Sequence, residues 1–334
     1  KKEVKNNPLE GVFKFVHTMV SKIKPVNLTY SRRTSEDLRG VLGSADIPYR
    51  LGLSEDLGLK ISDEVGTNIG SQNFERSFSA GSGLNLTSRI STQLDFMETY
   101  QTSVSGNNVT TESRTRDFLP IGDDGTSGYP FFRWNFKLSG VEKWPLIKII
   151  AQSASLDHAF SGKQTESKQD DVLQQSVYQI SLSPVLGISM TMKKGISFTG
   201  RYAFDRKINN KHSGINSTEI NQNETWTASM SYNHRGGLTI PIFFFRDFNL
   251  DNTVNLTLNF DYSVTETRER NIAGGEFSMT QSSKAWSISP RMTYTFTRRV
   301  SGSIWYQYKE NESIHVGQNI FRDFGFDVNI SIQG

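Results

Sequence analysis

The sequence predicts an all-β fold, an antiparallel transmembrane β-barrel or a large segment of one, with about 12–14 strands and two short amphipathic helices. Three observations predict it. Val254, Leu256, Leu258, Phe260, Tyr262 and Val264 alternate with Asn255, Thr257, Asn259, Asp261 and Ser263, which sorts apolar and polar side chains onto opposite faces of one strand. The alternation recurs along the chain. The connections between its copies fall into two kinds, short basic turns and long polar stretches.

The stripe from Val254 to Val264 is also long. Soluble strands have a mode of about 5–6 residues, whereas a membrane-crossing strand takes about 9–11. Lipid is therefore the expected cover of its apolar face, with the inner faces of a soluble β-sandwich as the alternative. Val254, Leu256, Leu258, Phe260 and Tyr262 are the candidate lipid-facing residues, and Asn255, Thr257, Asn259 and Asp261 the candidate lumen-facing ones. Tyr294, Phe296, Tyr306 and Tyr308 join Phe260 and Tyr262 as candidates for an interfacial aromatic girdle.

Taken in order, Pro8 to Ile23 carries Leu9, Val12, Phe13, Val16, Met19 and Val20 at helical spacing, and Val26, Leu28 and Tyr30 then alternate. Leu84 and Leu86 precede a turn, followed by Ile90, Leu94, Phe96 and Tyr100. Residues 110–118 are a candidate further strand. A second amphipathic helix is expected near 140–150 from Val141, Trp144, Leu146, Ile147 and Ile150, although Pro145 interrupts it. Leu156, His158 and Phe160 follow. Tyr178 to Met192 and Ile196 to Phe204 flank Lys193-Lys194-Gly195, Trp226 to Tyr232 is one more strand, and Trp286 to Phe296 and Ile304 to Tyr308 flank Arg298-Arg299. Pro184 and Pro290 stand at similar distances before the two basic turns, as in a repeated hairpin. Phe324 to Ile332 closes the series. Strands beginning near 25, 74, 90, 131, 151, 173, 196, 222, 249, 283, 301 and 320 alternate in direction without conflict. The short turns and both helices, near 8–23 and 140–150, then lie on the periplasmic side. The long loops 35–73, 105–130, 163–172, 209–221, 267–282 and 311–319 lie on the other.

Composition excludes several classes. The 334 residues contain no run of 18 apolar residues, and mean hydropathy is −0.47, so helical spans are excluded. There is no cysteine, hence no disulfide, thiol chemistry or Cys-type zinc site. A net charge of +3 gives no case for nucleic acid. His17, His158, His212, His234 and His315 lack metal-ligand spacing, and no GxSxG occurs. Asp123-Asp124-Gly125 and Asp170-Asp171 fall in predicted loops without the acidic ladder of a calcium site. No cofactor and no enzymatic activity are expected. The start, Lys1-Lys2-Glu3-Val4, is not a signal peptide, so a mature chain or a piece of a longer one is expected.

The block from Tyr129 to Leu146, YPFFRWNFKLSGVEKWPL, followed by Ala154-Ser155-Leu156-Asp157-His158, resembles the P-F-x-x-W…G-x-E-K-x-P block of the SprA (Sov) family. These are giant outer-membrane proteins of gliding motility and type IX secretion. The stretches Trp286 to Tyr294 and Gly325 to Val328, the hairpin at Pro184, and Gly236-Gly237 before Ile240-Pro241 are similar to that family as well. The resemblance implies a protein-conducting translocon in the bacterial outer membrane. Its large lumen would pass secreted cargo proteins and bind plug and periplasmic partner proteins. Family members run to thousands of residues, and this chain ends without a terminal aromatic residue. The expectation is therefore that residues 1–334 are the C-terminal barrel segment of a longer protein. A self-contained channel or transporter for small solutes is the alternative.

Overall fold

Alternating apolar and polar residues fold here into one antiparallel sheet. In the computed structural model the described residues are 22–37, 43–51, 53–54, 70–105, 109–121, 126–214, 216–236, 238–242, 245–250, 252–271 and 275–331. The strands are β1 (Asn27–Asp37), β2 (Ser71–Asn85), β3 (Ile90–Val104), β4 (Thr110–Ile121), β5 (Ser127–Pro130), β6 (Arg133–Ser139), β7 (Ala151–Gln169) and β8 (Val172–Met192). They continue as β9 (Ile196–Lys211), β10 (Ser217–His234), β11 (Leu238–Ile242), β12 (Phe245–Leu250), β13 (Val254–Arg270), β14 (Ser278–Thr295), β15 (Val300–Ser313) and β16 (Gly317–Ile330).

Fourteen of these make one sheet, in the order β1-β2-β3-β4-β7-β8-β9-β10-β13-β14-β15-β16, with β5 and β6 off the path. The all-β antiparallel wall expected from the sequence is thus present. Strands β11 and β12 form a separate hairpin in the connection between β10 and β13. Among the described residues, β1 pairs only with β2 and β16 only with β15.

The strand expected near 131 is the short β6, and it shares one position in the wall with the candidate strand at 110–118, which is β4. Residues 98–104 of β3 pair with β4, and residues 90–95 pair with β6. On the far side, β7 does the same with its residues 163–169 and 155–160. The chain leaves the wall between β4 and β6. Residues 118–121 and 127–130 form a hairpin there.

The two expected helical segments stand differently. Most of the segment near 8–23 lies outside the described residues. The segment near 140–150 is two short turns, a 3-10 turn at Val141–Lys143 and a four-residue helix at Ile147–Ile150. Pro145 separates them, because it has no N–H to continue a ladder. Gly140 starts the first turn at φ 82, a conformation that favours glycine.

The expected long loops are partly strand instead, 267–282 among them, since β13 runs to Arg270 and β14 begins at Ser278. β7 and β8 join through Asp170-Asp171 alone, both at positive φ, as a two-residue hairpin turn requires. The β9–β10 and β15–β16 connections are likewise shorter than the predicted 209–221 and 311–319.

The chain exposes 23276 Å², against about 14,000 Å² for a globular monomer of its mass. The sheet is a single layer. Among the described residues the buried hydrophobic set is small: Phe118, Val141, Ala151, Ala154, Phe160, Ile208 and Val254. The second sheet among the described residues is only the two-stranded β11–β12 hairpin, in contrast to the two large sheets of a β-sandwich.

Candidate functional site

The register assigns every side chain of the wall to a face, because directly paired residues point to the same side. On β13, Asn255, Thr257, Asn259 and Asp261 share one face. Their partners on β10 are Asn233, Ser231, Ser229 and Thr227, and those on β14 are Thr293, Arg291, Ser289 and Ser287. This face is polar from strand to strand. Cross-strand bonds knit it together. The Ser229 hydroxyl donates to Asn259 Oδ1 at 2.8 Å, and the Ser287 hydroxyl donates to Asp261 Oδ2 at 3.3 Å. Thr267 and Thr265 donate to Asn221 and Asn223 at 2.7 and 3.1 Å.

The polar face carries both signs of charge. Arg291 pairs with Asp327 at 2.8 Å, and the Trp305 indole N–H donates to the same carboxylate at 3.1 Å. Asp117 is nearly buried at the β4–β6 junction. Its Oδ2 accepts the Met97 amide N–H at 2.7 Å and lies 3.4 Å from Arg133 Nε.

Val254, Leu256, Leu258, Phe260 and Tyr262 occupy the opposite face. Their β14 partners are Tyr294, Met292, Pro290, Ile288 and Trp286. Tyr306 and Tyr308 lie on that face too, paired with Phe324 and Arg322. Phe296 follows β14 in the turn, where its ring meets Tyr294 edge to face at 4.8 Å. All nine candidates for the apolar side are thus on it or at its lower end. Val264 marks the band's upper limit, since its partners are the charged Glu224 and Lys284. Eleven residues at about 3.3 Å each span about 36 Å along the strand, and a tilt of about 45° reduces that to about 25 Å of height.

Aligning the strands adds residues to the aromatic set. Tyr202, Trp226, Tyr262 and Trp286 form one continuous paired row. Tyr202 stacks on Trp226 at 4.2 Å, and Trp286 meets Tyr308 at 4.7 Å. The four rings come from four strands, so only the register reveals the line. At the opposite end, Tyr232 and Tyr294 flank the band, while Phe260 and Tyr306 sit within it.

The 140–150 segment folds against the apolar face at the short-turn end. Val141 packs with Ala151, Ala154, Leu138, Leu156, Ile147 and Met190. Trp144, Leu146, Ile149 and Ile150 remain exposed beside Lys143 and Lys148. That mixture suits an interface between apolar and aqueous phases. Glu142 anchors the segment by accepting the Ala154 amide N–H at 3.0 Å. A bond from its own amide, and then the one from Ala154, hold the carboxyl below the usual glutamate range.

Three described histidines make structural hydrogen bonds. His158 Nδ1–H donates to the Val185 carbonyl at 2.7 Å, beside the β8 irregularity at 182–186. His212 and His234 bond Ser176 and Tyr232. Among the described residues no group of three or more His, Cys, Asp or Glu converges.

Comparisons with known proteins add little to this geometry. No protein-family model matches the chain, and no curated protein matches it. Among solved structures, the crystal structure of Pseudomonas aeruginosa OccK5 (OpdH) aligns over 92% of this chain and 98% of its own, at 10% identity and a TM-score of 0.16. That overlap is too slight to carry an argument.

Proposed function

We propose that the chain is wall of a wide pore in the bacterial outer membrane, of the protein-conducting class to which SprA (Sov) proteins belong. The observation that carries the reading is a single-layer sheet with two chemically opposite faces. Across β9, β10, β13 and β14 one face is polar, and the other carries an apolar band of about 25 Å with an aromatic row near its upper limit. Trp226, Met230, Leu256, Phe260, Ile304 and Tyr306 of the apolar face are exposed in the chain alone; in a bilayer, lipid covers them. The polar face becomes the lumen, lined by Asn255, Thr257, Asn259, Asp261 and their partners.

Width supports the protein-conducting reading. Twelve strand positions at about 4.8 Å, tilted about 45°, make an arc of about 80 Å, which closed on itself would be a ring about 26 Å across. The described edges do not pair with each other, as suits membership in a wider ring. Mixed charge on the polar face suits passage of varied polypeptides better than selection of one ion. Secreted cargo would pass along this face, with plug and periplasmic proteins as partners.

The chain's lack of cysteine makes the test clean. Single cysteines at Asn255, Thr257, Asn259 and Asp261 are labelled in intact membranes with maleimide polymers of increasing size, alongside cysteines at Leu256, Leu258 and Phe260. A protein-conducting pore admits polymers as wide as a folded domain to the first set and none to the second. Access limited to small reagents would favour a small-solute channel. Labelling of both sets alike would overturn the membrane reading.

A further inference from the structure

We propose an anionic lipid headgroup site on the outward, apolar side of the wall, just above its aromatic row; this rests on the membrane-crossing reading. A crevice of about 410 Å³ lies there, lined among others by Thr126 of the β4–β5 connection and by Phe277. Ile208 and Ile220 are apolar members of its lining. Ile208 is 1% exposed, although it sits at the long-loop end of a single-layer sheet.

Its charge is one-sided. Arg206, Lys211 and Arg270 line it with His212, and none of the described lining residues is acidic. Glu266, which lines an adjoining cavity with Arg206 and Phe277, is paired with Arg268 at 2.7 Å. Arg206 Nε is buried without a hydrogen-bond partner, a costly arrangement for a charged donor unless a ligand completes it. Arg270 is held by stacking on the Phe277 ring, 4.6 Å from its centre. Two planar guanidiniums against one crevice suit a phosphate group.

Height identifies the source of the phosphate. Arg206 stands four residues beyond Tyr202 on β9, about 13 Å along the strand and about 9 Å along the membrane normal. The rings of Tyr202 and Trp226 mark the boundary of the apolar band, so the guanidinium lies at headgroup depth. Acyl chains would run down the apolar face below it. The ligand class is a phosphorylated amphiphile of the adjoining leaflet.

The test uses the full chain folded in neutral detergent, with three probes: dihexanoyl phosphatidic acid, inorganic phosphate and dihexanoylglycerol. Saturable binding is followed by calorimetry. The lipid phosphate is expected to bind, with Arg206→Gln and Arg270→Gln each weakening it by about tenfold or more. Lys309→Gln, on the polar face, should change nothing. Far-UV circular dichroism and heat-modified gel mobility verify that each variant is folded. Inorganic phosphate binding as tightly as the lipid, binding of the neutral lipid, no binding at all, or variants that bind like wild type would each overturn the proposal. Insertion into lipid vesicles is measured separately. Failure to insert with retained, arginine-dependent lipid binding would break the membrane reading and leave the headgroup site standing.

Discussion

Replacing Leu258 by arginine places a charge near the middle of the apolar band. Leu258 is opposite Met230 on β10 and Pro290 on β14. It lies four residues from Val254, about 13 Å along the strand and about 9 Å in depth, within a band of about 25 Å. An arginine at that depth costs about 2–4 kcal/mol in a membrane barrel, a drop of about 30- to 900-fold in the folding equilibrium. The cost should decay with height. Val264→Arg, at the rim between Glu224 and Lys284, should cost about 0–1 kcal/mol. Asn259→Arg points the other way and removes the bond from Ser229, about 1 kcal/mol. The assay is a urea titration of folding into lipid vesicles, read by heat-modified gel mobility and tryptophan fluorescence. Equal costs at Leu258 and Val264 would refute lipid as the cover of this face, because a protein core has no such depth gradient. A large cost at Asn259 would refute the assignment of the faces.

Other perturbations probe the junction and the anchoring segment. A Cβ added at Gly162 would lie 1.9 Å from the Phe118 carbonyl oxygen, so Gly162→Val should lift the β4–β5 hairpin at about 1–3 kcal/mol. Limited proteolysis should then cut within 118–130, and wild-type resistance there would sink the idea. Asp117→Ala should destabilise folding by about 1–3 kcal/mol, since it strands the Met97 N–H and Arg133; a neutral result in the same urea titration counts against it. Glu142 has a folded-state pKa below its unfolded value, so its contribution is present above the usual glutamate range and is lost as pH falls through the folded value. Proteolysis of the 140–150 segment should accelerate on such acidification in wild type and be insensitive to it in Glu142→Gln. Matching pH profiles would disprove this anchoring role.

Where one face is apolar, the strands were legible from alternation alone, as in Val254 to Val264. Where neither face is, they were not. Residues 163–169 of β7 and 209–211 of β9 read as loop because their polar side chains lack period-two contrast, yet they are paired throughout. The shared position of β4 and β6 was hidden for another reason. Two segments separated by a hairpin occupy one place between β3 and β7, and nothing local in either announces it. The same holds for the candidate sites. The polar and apolar faces of β13 follow from parity, whereas the Tyr202–Trp226–Tyr262–Trp286 row and the Arg206–Arg270 crevice need the register of three or four strands.

Each long strand contacts chiefly the strands on its two sides. Such an assembly behaves as a chain of coupled links, with stability close to a sum of nearest-neighbour terms. Damage should therefore stay local: weakening the β8–β9 seam need not be felt at β14–β15. Growth is modular in the same sense, since adding or removing a hairpin changes circumference without disturbing an interior. A wall built this way can change bore in steps of one hairpin while each strand keeps its own two neighbours.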